Sequence, residues 1–329
     1  MGNETLNKAS KAKNDEFYTQ LSDIEKECWH YEEHFKGKTI LCNCDDPRVS
    51  RFFYFFYANF RTLGLKRLIA TCYKNLNPDL FSQNLDEQAV YCIYDGTDRA
   101  DDVFKDYDAF IKQNKWEVLK GDGDFHSPEC IELLKQADIV CTNPPFSLFR
   151  EYIAQLVEYD KKFLIIGNMN AITYKDCFKL IKENKMWMGR SIHSGDREFG
   201  VPDYYPLTAA GYRIDDNGKK FIRVKGVRWF TNLDYKERHE KLDLYRKYTA
   251  EKYPHYDSYD AIEVGKVADI PEDLDGAMGV PITFLDKYNP DQFEIIGIDR
   301  YVEDNPHYGH RFKINGKEMY ARILIKRKK

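Results

Sequence analysis

The sequence predicts an α/β fold in which a doubly wound, mostly parallel sheet is followed by a smaller carboxyl-terminal region. Segments with strand character alternate with segments of helical periodicity from residue 15 to residue 192. Several strands, among them Ile139–Thr142, are apolar on both faces. That pattern is typical of parallel strands covered by helices on both sides. After residue 192 the alternation weakens, and a different organisation is expected there.

The individual elements follow from short apolar runs and from apolar side chains at helical spacing. Strands are predicted at residues 38–44, 67–73, 89–94, 116–120, 138–142, 161–169 and 186–192. Helices are predicted at residues 20–35, 49–64, 100–113, 147–159 (capped by Ser147) and 174–184, and from Ser127, where Pro128 and Glu129 complete a typical amino terminus. Beyond residue 192 the pattern predicts a loop at 194–205, a turn at 214–218, an extended segment at 221–231, a helix at 235–248, and strands at 282–285, 293–298 and 321–326.

Length and composition indicate one large domain with a smaller partner. The chain has 329 residues, of which 43% are hydrophobic and 15% aromatic, enough to bury a sizeable core. We predict a mobile amino-terminal arm at residues 1–14 and a main domain at 15–192. Residues 193–235 are expected to form a loop and the closing strand of the sheet, and residues 236–329 a separate region.

Charge and cysteine usage narrow the class of protein. The net charge is −4, so no overall positive field indicates nucleic acid, although 50 Lys and Arg residues are enough to line one groove. The eight cysteines show neither a C-x-x-C pair nor the spacing of metal ligands. No apolar stretch approaches the length of a membrane span. We therefore expect a soluble, cytoplasmic protein that requires no metal and contacts no membrane.

A tetrad, Asn143-Pro144-Pro145-Phe146, directly follows the apolar strand Ile139–Thr142. The lone pair of a conjugated amino nitrogen, such as adenine N6 or a carboxamide nitrogen, is delocalised, so this nitrogen attacks poorly. An asparagine oxygen and the next carbonyl can each accept one of its hydrogens and free that lone pair. The two prolines stiffen the loop, and the aromatic ring can stack on a planar base. The alternative is a rigid strand-to-helix turn with a stacked phenylalanine.

Three polar segments fall at predicted strand ends. They are residues 43–47, 121–125 and 143–146. Ligands of doubly wound sheets bind at the carboxyl ends of the strands. The positions therefore predict one composite site, independently of any motif name.

Several runs resemble the S-adenosylmethionine-dependent adenine-N6 DNA methyltransferases, specifically the EcoRI modification methyltransferase type. They are DEFYTQ (15–20), CNCDDPRVS (42–50), GDGDF (121–125), TNPPFSLFREY (142–152), MGVPITFL (278–285) and residues 289–294. The resemblance covers nearly the whole chain and implies a Rossmann-like fold, with a catalytic domain at 15–192 and target recognition in 193–235 and 236–329. It implies methyl transfer from S-adenosylmethionine to N6 of an adenine flipped out of double-stranded DNA.

The same resemblance implies a biological setting. The enzyme would be the protective half of a type II restriction–modification system, with GAATTC as its site if the recognition residues also match. A cognate restriction endonuclease would share that site without a stable complex, and the methyltransferase would act as a monomer.

Site residues carry over from the family position by position. In the tetrad Asn143 and Pro144 would accept the two N6 hydrogens, Pro145 would hold the loop, and Phe146 would stack on the adenine. The residues implied for the cofactor are Phe17, Tyr18 and Thr19 over its methionine part, Asn43, Cys44 and Asp45 at its amino-acid portion, Asp124 and Phe125 at its adenine, and Asn143. Two departures stand out: residues 43–50 contain no glycine, and the strand 67–73 ends without the acid that usually holds the ribose.

Simpler interpretations remain open for some of these residues. Asp45 and Asp46 are also compatible with capping a helix that begins near Arg48. Tyr18 is compatible with plain packing, and Asp122 with a turn.

A basic stretch without acids is the candidate DNA contact. It contains Lys220, Arg223, Lys225 and Arg228, and on an extended segment Arg223 and Lys225 share one face that could contact phosphates. A solvated strand edge explains the same pattern. Arg197, in the predicted loop 194–205, is placed to reach base edges.

Two other functions use parts of the same pattern. The first is methylation of a protein glutamine or of a guanine amino group in ribosomal RNA, because both are conjugated nitrogens. The second is a DNA-binding protein that keeps the fold without catalysis. The intact tetrad and the intact Asp124-Phe125 pair speak against the second function.

Overall fold

The computed structural model describes residues 17–44, 46–73, 89–97, 103–113, 116–201, 205, 211–302 and 309–328. The chain divides into two compact units, Met1–Met169 with Ser194–Leu233, and Asn170–His193 with Asp234–Lys329. This division places residues 170–193 in the second unit, whereas the sequence pattern grouped residues up to 192 with the main domain. The predicted arm at residues 1–14 lies outside the described residues.

The structure is a mixed α/β protein. In chain order its strands are β1 (Tyr18–Thr19), β2 (Thr39–Asn43), β3 (Arg67–Thr71), β4 (Val90–Tyr94), β5 (Glu117–Val118), β6 (Ile139–Thr142), β7 (Lys162–Asn168), β8 (Trp187–Met188), β9 (Asp196–Val201), β10 (Arg213–Ile214), β11 (Lys220–Lys225), β12 (Val227–Thr231), β13 (Ala261–Glu263), β14 (Ala277–Pro281), β15 (Phe293–Ile298), β16 (Lys313–Ile314), β17 (Lys317–Glu318) and β18 (Arg322–Arg327). Its helices are α1 (Leu21–Cys28), α2 (Glu32–Phe35), α3 (Arg51–Ala58), α4 (Val103–Lys112), α5 (Pro128–Gln136), α6 (Phe149–Glu158) and α7 (Lys175–Lys182).

The main sheet of the first unit contains, in order, β5, β4, β3, β2, β6, β7 and β12. The four strands from β3 to β7 in this order are mutually parallel, as the sequence predicted. The strands on either side, β4, β5 and β12, are antiparallel to their neighbours, so the sheet is mixed rather than mostly parallel. Every residue of β2 and β6 is buried, which explains why these strands are apolar on both faces.

Helix α3 supplies an aromatic part of the core. Phe52, Phe53, Phe55, Phe56 and Tyr57 are all buried, so the helix is covered on more than one side. Ser50 caps the helix by accepting a hydrogen bond from the main-chain N–H of Phe53 (3.4 Å). The helix therefore begins two residues later than Val49, which is exposed, and it ends before the predicted Gly64.

Other helix predictions were wrong in instructive ways. The predicted helix 20–35 is interrupted by a 3₁₀ turn at Trp29–Tyr31. Ser147 is not the cap of the helix α6, because it lies within the 3₁₀ turn Phe146–Leu148 and the position before α6 is Leu148. The predicted helix 235–248 contains only the 3₁₀ turn Lys236–His239.

A second sheet of the first unit contains β1, β9, β11 and β10, all antiparallel. The prediction of a loop at 194–205 was wrong, because residues 196–201 form the strand β9. The extended segment predicted at 221–231 is two strands, because Gly226, at φ +72°, separates β11 from β12.

The second unit is built on a sheet with the order β13, β14, β18, β15. Its strands β15 and β18 match the predictions closely, but the strand predicted at 282–285 is a 3₁₀ turn, Ile282–Lys287, that follows β14. Strands β16 and β17 form a separate two-stranded ladder. No helix among the residues described above is long and apolar enough to cross a membrane.

Candidate active site

The tetrad lies at the carboxyl end of β6, whose neighbours in the sheet are β2 and β7. Asn143 is 6% exposed, and Pro144 is buried. Pro145 and Phe146 are half-buried, and the 3₁₀ turn that begins at Phe146 leads into α6. The strand-to-helix position predicted for the tetrad is therefore the observed one.

Among the described residues, one hydrogen bond orients the amide of Asn143. Its Nδ2 donates to the main-chain oxygen of Phe17 over 2.6 Å. Its Oδ1 is buried and has no hydrogen-bond partner within the described ranges. Buried polar atoms are rarely left unsatisfied, so this oxygen is a candidate acceptor for a ligand.

Tyr152, on α6, connects the tetrad with the end of β2. Its hydroxyl donates to Oδ1 of Asn43, while the Thr142 hydroxyl donates to the Asn43 main-chain oxygen. Burial raises the pKa of Tyr152 well above its ordinary value, so the hydroxyl keeps its proton and remains a donor. The residue before the tetrad and the last residue of β2 are thereby tied together.

The same helix holds the segment 121–125. The Tyr152 ring packs edge-on against Phe125 at 5.1 Å, and Gln155 Nε2 donates to the Phe125 main-chain oxygen over 2.9 Å. Residues of α6 thus connect the tetrad with the other two predicted polar strand ends, 43–47 and 121–125. Tyr152 and Gln155 were not singled out by the sequence, although both lie in or beside the run 142–152.

The turn after β2 has no glycine, and a cysteine adopts the unusual backbone conformation instead. Cys44 has φ +95°, in the left-handed region that ordinarily favours glycine. Asp45 lies outside the described residues. The carboxylate of Asp46 accepts hydrogen bonds from the Arg48 main-chain N–H and from its Nε, both at 2.9 Å. Asp46 therefore caps the turn 47–49 rather than α3.

The segment 121–125 approaches the end of β3 closely. Gly123 has φ +78°, and a side chain there would overlap the main-chain oxygen of Cys72. Asp122 accepts a hydrogen bond from the Asp124 main-chain N–H (3.0 Å), which agrees with its interpretation as a turn residue.

Asp124 and Phe125 share a neighbour, His126, for which the sequence predicted no role. Asp124 Oδ1 lies 2.8 Å from the His126 ring nitrogen Nδ1, and the His126 ring lies 3.9 Å from the Phe125 ring. The spacing of two residues between Asp124 and His126 is the only signal in the sequence that could have predicted this contact. Asp124 remains partly exposed (39%), and Phe125 is largely buried.

The amino-terminal segment lies against the tetrad. Phe17 is 3% exposed, and its ring packs edge-on against Phe146 at 5.8 Å. Tyr18 and Thr19 form β1 and pair with Gly200 and Phe199 of β9. Of the three residues expected to cover the cofactor, Phe17 therefore contacts the expected base-binding loop, and the two that follow it pair with β9.

These features fit a cofactor with a charged, hydrogen-bonding body and a planar base. The left-handed turn at Cys44 and the glycine contact at Gly123 bring main chain close to the strand ends. The half-exposed Asp124 beside the Phe125 ring suits a base with an amino group. Asn143, whose Oδ1 has no partner among the described residues, is bonded through Nδ2 to Phe17. A crevice of about 360 Å³ lined by Lys38, Asp138 and Lys161 lies at the opposite, amino-terminal edge of the parallel strands, away from this chemistry.

The candidate DNA-binding residues are distributed over three strands. Arg223 and Lys225 are exposed on one face of β11, as predicted. Across the strand pair, Glu198 lies opposite Arg223, and Asp196 opposite Lys225. The basic stretch contains no acidic residue in the sequence, but in the sheet the acidic residues of β9 lie opposite its basic residues. A cleft of about 610 Å³ is lined by Gly195, Asp196, Glu198 and Arg223.

The remaining three candidates differ from one another. Lys220 is half-buried at the start of β11. Arg197 lies in a strand rather than a loop, with its guanidinium 3.9 Å from the Asp23 carboxylate. Arg228 is 4% exposed in β12 and donates to its neighbour's carbonyl over 2.8 Å, so it does not share the exposed face.

The structure joins none of the eight cysteines in a disulfide, and burial raises the pKa of the Cys28 and Cys141 thiols. Within the described residues, no group of three or more His, Cys, Asp or Glu side chains could hold a metal ion.

Comparisons with known proteins agree with one another. The family described as "Adenine-specific methyltransferase EcoRI" matches residues 5–328. The chain is 50% identical to the type II methyltransferase M.EcoRI of Escherichia coli, over 99% of this chain and 97% of that protein. It is 39% identical to the type II methyltransferases M.MgeORF184P of Mycoplasma genitalium and M.MpnI of Mycoplasma pneumoniae. Each of the two alignments covers 98% of this chain and 98% of the relative. No solved structure matches. With a family match over nearly its whole length and a relative of 50% identity, the chain belongs to the EcoRI family of adenine-specific methyltransferases.

Proposed function

We propose that this chain is a site-specific DNA methyltransferase that transfers a methyl group from S-adenosylmethionine to N6 of an adenine flipped out of double-stranded DNA. The observation that carries the proposal is the buried Asn143 Oδ1, which has no partner among the described residues and lies at a strand end beside the segments expected to hold the cofactor. The relationship to M.EcoRI supports the same reaction and the protective half of a type II restriction–modification system.

The residues of the tetrad would act on the target base by position and hydrogen bonding. Asn143 Oδ1 accepts one N6 hydrogen, the Pro144 carbonyl accepts the other, and Phe146 stacks on the ring. When bound, S-adenosylmethionine would supply the methyl group from its sulfonium and leave as S-adenosylhomocysteine, and the methylated N6 would lose one proton. Because the acceptors are fixed before the base arrives, they stabilise the positive charge that develops on N6 without reorganising. The base must leave the duplex to reach them, at a cost of a few kcal/mol.

The cofactor would be held by residues from four segments. Phe17, Tyr18 and Thr19 cover its methionine part, and Asn43, Cys44 and Asp45 bind its amino-acid portion. Asp124 binds and Phe125 stacks on its adenine, and Asn143 completes the site. We propose a Rossmann-like, doubly wound arrangement for the first unit, in which these cofactor-binding residues lie at the carboxyl ends of the strands. The reaction as proposed requires no metal.

Target recognition belongs to residues 193–235 and to the carboxyl-terminal region 236–329. The chain is 50% identical to M.EcoRI, and GAATTC is the site that we propose. The partner is double-stranded DNA, and a cognate endonuclease would recognise the same sequence without a stable complex. We propose a cytoplasmic monomer.

The role of Asn143 is tested by Asn143→Ala. The variant loses the acceptor for one N6 hydrogen, so kcat should fall by at least about 10²-fold, the effect of removing one fixed transition-state hydrogen bond. Binding of the product analogue S-adenosylhomocysteine, measured by calorimetry, should stay within a few-fold of the unmodified chain. Gln113→Ala, at an exposed position at the end of α4, is the control. Retained turnover in Asn143→Ala would remove the assigned role.

Base and sequence context are tested together in a host free of DNA methylation. After expression of the chain, N6-methyladenine is mapped across the host genome. The proposal expects this base at one recurring sequence, and GAATTC in particular. Methylation of a protein glutamine or of ribosomal RNA would leave the genome unmodified and would overturn the DNA substrate.

The exposed face of β11 is proposed to contact phosphates. Arg223→Ala with Lys225→Ala should weaken binding to every DNA sequence and reduce the slope of log K against log salt, by about one for each phosphate that is no longer bound. Lys66→Ala with Lys162→Ala is the control. It removes two exposed charges at the amino-terminal ends of the parallel strands β3 and β7 and should leave the slope unchanged. If both pairs behave alike, this face of β11 is not at the interface.

A further inference from the structure

We propose that the main-chain carbonyl of Phe17 is the positioning group that fixes which end of the Asn143 amide faces the target base. It also explains why the tetrad of this chain begins with asparagine rather than aspartate. This inference rests on the function proposed above, because it assigns the orientation of an atom used in that reaction.

The argument starts from the chemistry of an amide. The Asn143 side chain has a donor end, Nδ2, and an acceptor end, Oδ1, which differ little in shape. A carbonyl can only accept, so the Phe17 oxygen, 2.6 Å away, admits only Nδ2. A flipped amide would bring two oxygens together between residues that are 6% and 3% exposed, where water does not screen the repulsion. With Nδ2 held by Phe17, Oδ1 is left as the acceptor for the base.

The carbonyl is itself held in place from outside the main sheet. The Phe17 ring packs against Phe146 and Phe199, each at 5.8 Å, and against Tyr205 at 6.3 Å. The next residue, Tyr18, pairs with Gly200 of β9, which has no side chain to displace it. The catalytic amide is therefore oriented when this segment is docked, and the segment expected to cover the cofactor takes part in preparing the base site.

An aspartate at position 143 would lack the required donor. An ionised carboxylate has only acceptors, so it cannot satisfy the Phe17 oxygen. The rings that pack against Phe17 carry no cation that could compensate. Of the charged groups on the adjoining β9, Arg197 lies near Asp23, Glu198 binds Arg213, and Asp196 lies opposite Lys225 of β11. We therefore expect the carboxyl of Asn143→Asp to stay protonated well above its usual range.

The experiment measures that carboxyl directly and then its effect on turnover. The full chain carrying Asn143→Asp is titrated from pH 5 to pH 9 by infrared difference spectroscopy, which separates a protonated carboxyl from a carboxylate. Asn217→Asp, in the exposed turn after β10, is the matched control. The expected result is a protonated carboxyl near neutral pH in Asn143→Asp and an ionised one in the control. Ordinary titration of both variants would overturn the inference.

Turnover provides the second readout. In Asn143→Asp, kcat should fall about tenfold for each pH unit once the carboxyl ionises, because only the protonated form keeps the donor toward Phe17. The unmodified chain should show no such fall. A kcat of the variant that is flat or rises with pH contradicts the inference. If the unmodified chain methylates no adenine, the proposed function fails, and the infrared titration still reports on the carbonyl.

A third measurement distinguishes two roles of Phe17, positioning the Asn143 amide and covering the cofactor. Phe17→Ala keeps the carbonyl but removes the ring that anchors it, so kcat should fall by more than KM for S-adenosylmethionine rises. Phe17→Leu, which restores an apolar anchor, should recover most of the loss. A rise in KM with kcat unchanged would show that the segment only covers the cofactor.

Discussion

Each unit of the molecule contains a buried tyrosine at the centre of a polar network, and the two networks differ in charge. In the first unit the Tyr152 hydroxyl donates to the amide of Asn43 at the end of β2. In the second unit the Tyr256 hydroxyl donates to the carboxylate of Glu263, within the sheet. The first network is neutral and lies at strand ends, and the second contains an ion pair and joins strands.

The charged network depends on the strand between its members. Glu263 on β13 and Arg322 on β18 flank β14, where Gly279 leaves room for the Tyr256 hydroxyl. Arg322 Nε and Nη2 donate to Glu263 Oε1 over 2.9 Å and 2.6 Å, and both residues are 8% exposed. Burial and the neighbouring Glu263 carboxylate raise the pKa of Tyr256, so its hydroxyl also remains a donor.

The two networks contribute differently to stability and to the geometry of the site. An ion pair out of water gives little net stability when intact but is costly to break, since one buried charge is left alone. A neutral network costs less to disturb, and its main consequence is the position of the groups it holds. We expect the charged network to govern the stability of the second unit and the neutral one to govern the geometry of the site.

The largest effect is expected for Arg322→Met. It leaves Glu263 buried without its partner and should destabilise the second unit by about 3–5 kcal/mol. Hydrogen exchange of the β13, β14 and β18 amides, together with calorimetric unfolding, measures the loss for this unit. Adding Glu263→Leu removes the buried carboxylate that has lost its cationic partner, so most of the stability should return. If the double variant is no more stable than Arg322→Met, an uncompensated charge is not the cause.

The neighbouring Asp299 gives a pH dependence in the same unit. It is fully buried, and burial raises its pKa to about 6 from an ordinary value of 3.8, so the proton is held more tightly in the folded chain. Its contribution to stability is therefore complete below pH 3.8 and is lost as the pH rises through about 6.

Asp299→Asn should remove that contribution to the pH dependence. The variant keeps an acceptor for the Arg300 main-chain N–H, 2.9 Å from Oδ1, but carries no charge to bury. At pH 8 it should be more stable than the unmodified chain by at most about 3 kcal/mol, and the advantage should shrink toward pH 4. Calorimetric unfolding of both chains across this range is the measurement. A difference in stability that does not vary with pH would mean that Asp299 is not the titrating group.

The sequence predicted what local patterns encode. The tetrad, the helix cap Ser127 and the central parallel strands all follow from residues close together in the chain, and all were found where expected. The fully apolar β2 and β6 could be recognised because burial on both faces leaves no polar alternation.

Contacts between distant segments could not be predicted in the same way. The Asn143 amide meets Phe17 across 126 positions, and Tyr152 meets Asn43 across 109. The acids facing Arg223 and Lys225 depend on the register of β9 against β11, and β9 itself begins with Asp196-Arg197-Glu198, which has the polarity of a loop. The segment 235–248 was predicted as a helix, yet apart from the 3₁₀ turn Lys236–His239 and one bridge between Arg246 and Pro271 it forms no regular structure.

The smallest effect on stability, and the one most closely tied to function, is expected for Tyr152→Phe. The substitution leaves Asn43 Oδ1 without its buried donor and should cost about 1–3 kcal/mol. Tyr253→Phe is a matched control, since this buried hydroxyl in the second unit donates to the Asp269 main-chain oxygen over 2.7 Å. Both variants should lose similar stability, but only Tyr152→Phe should raise KM for S-adenosylmethionine several-fold, because Asn43 adjoins the strained turn at Cys44. An equal KM in the two variants would show that the neutral network, like the charged one, serves stability alone.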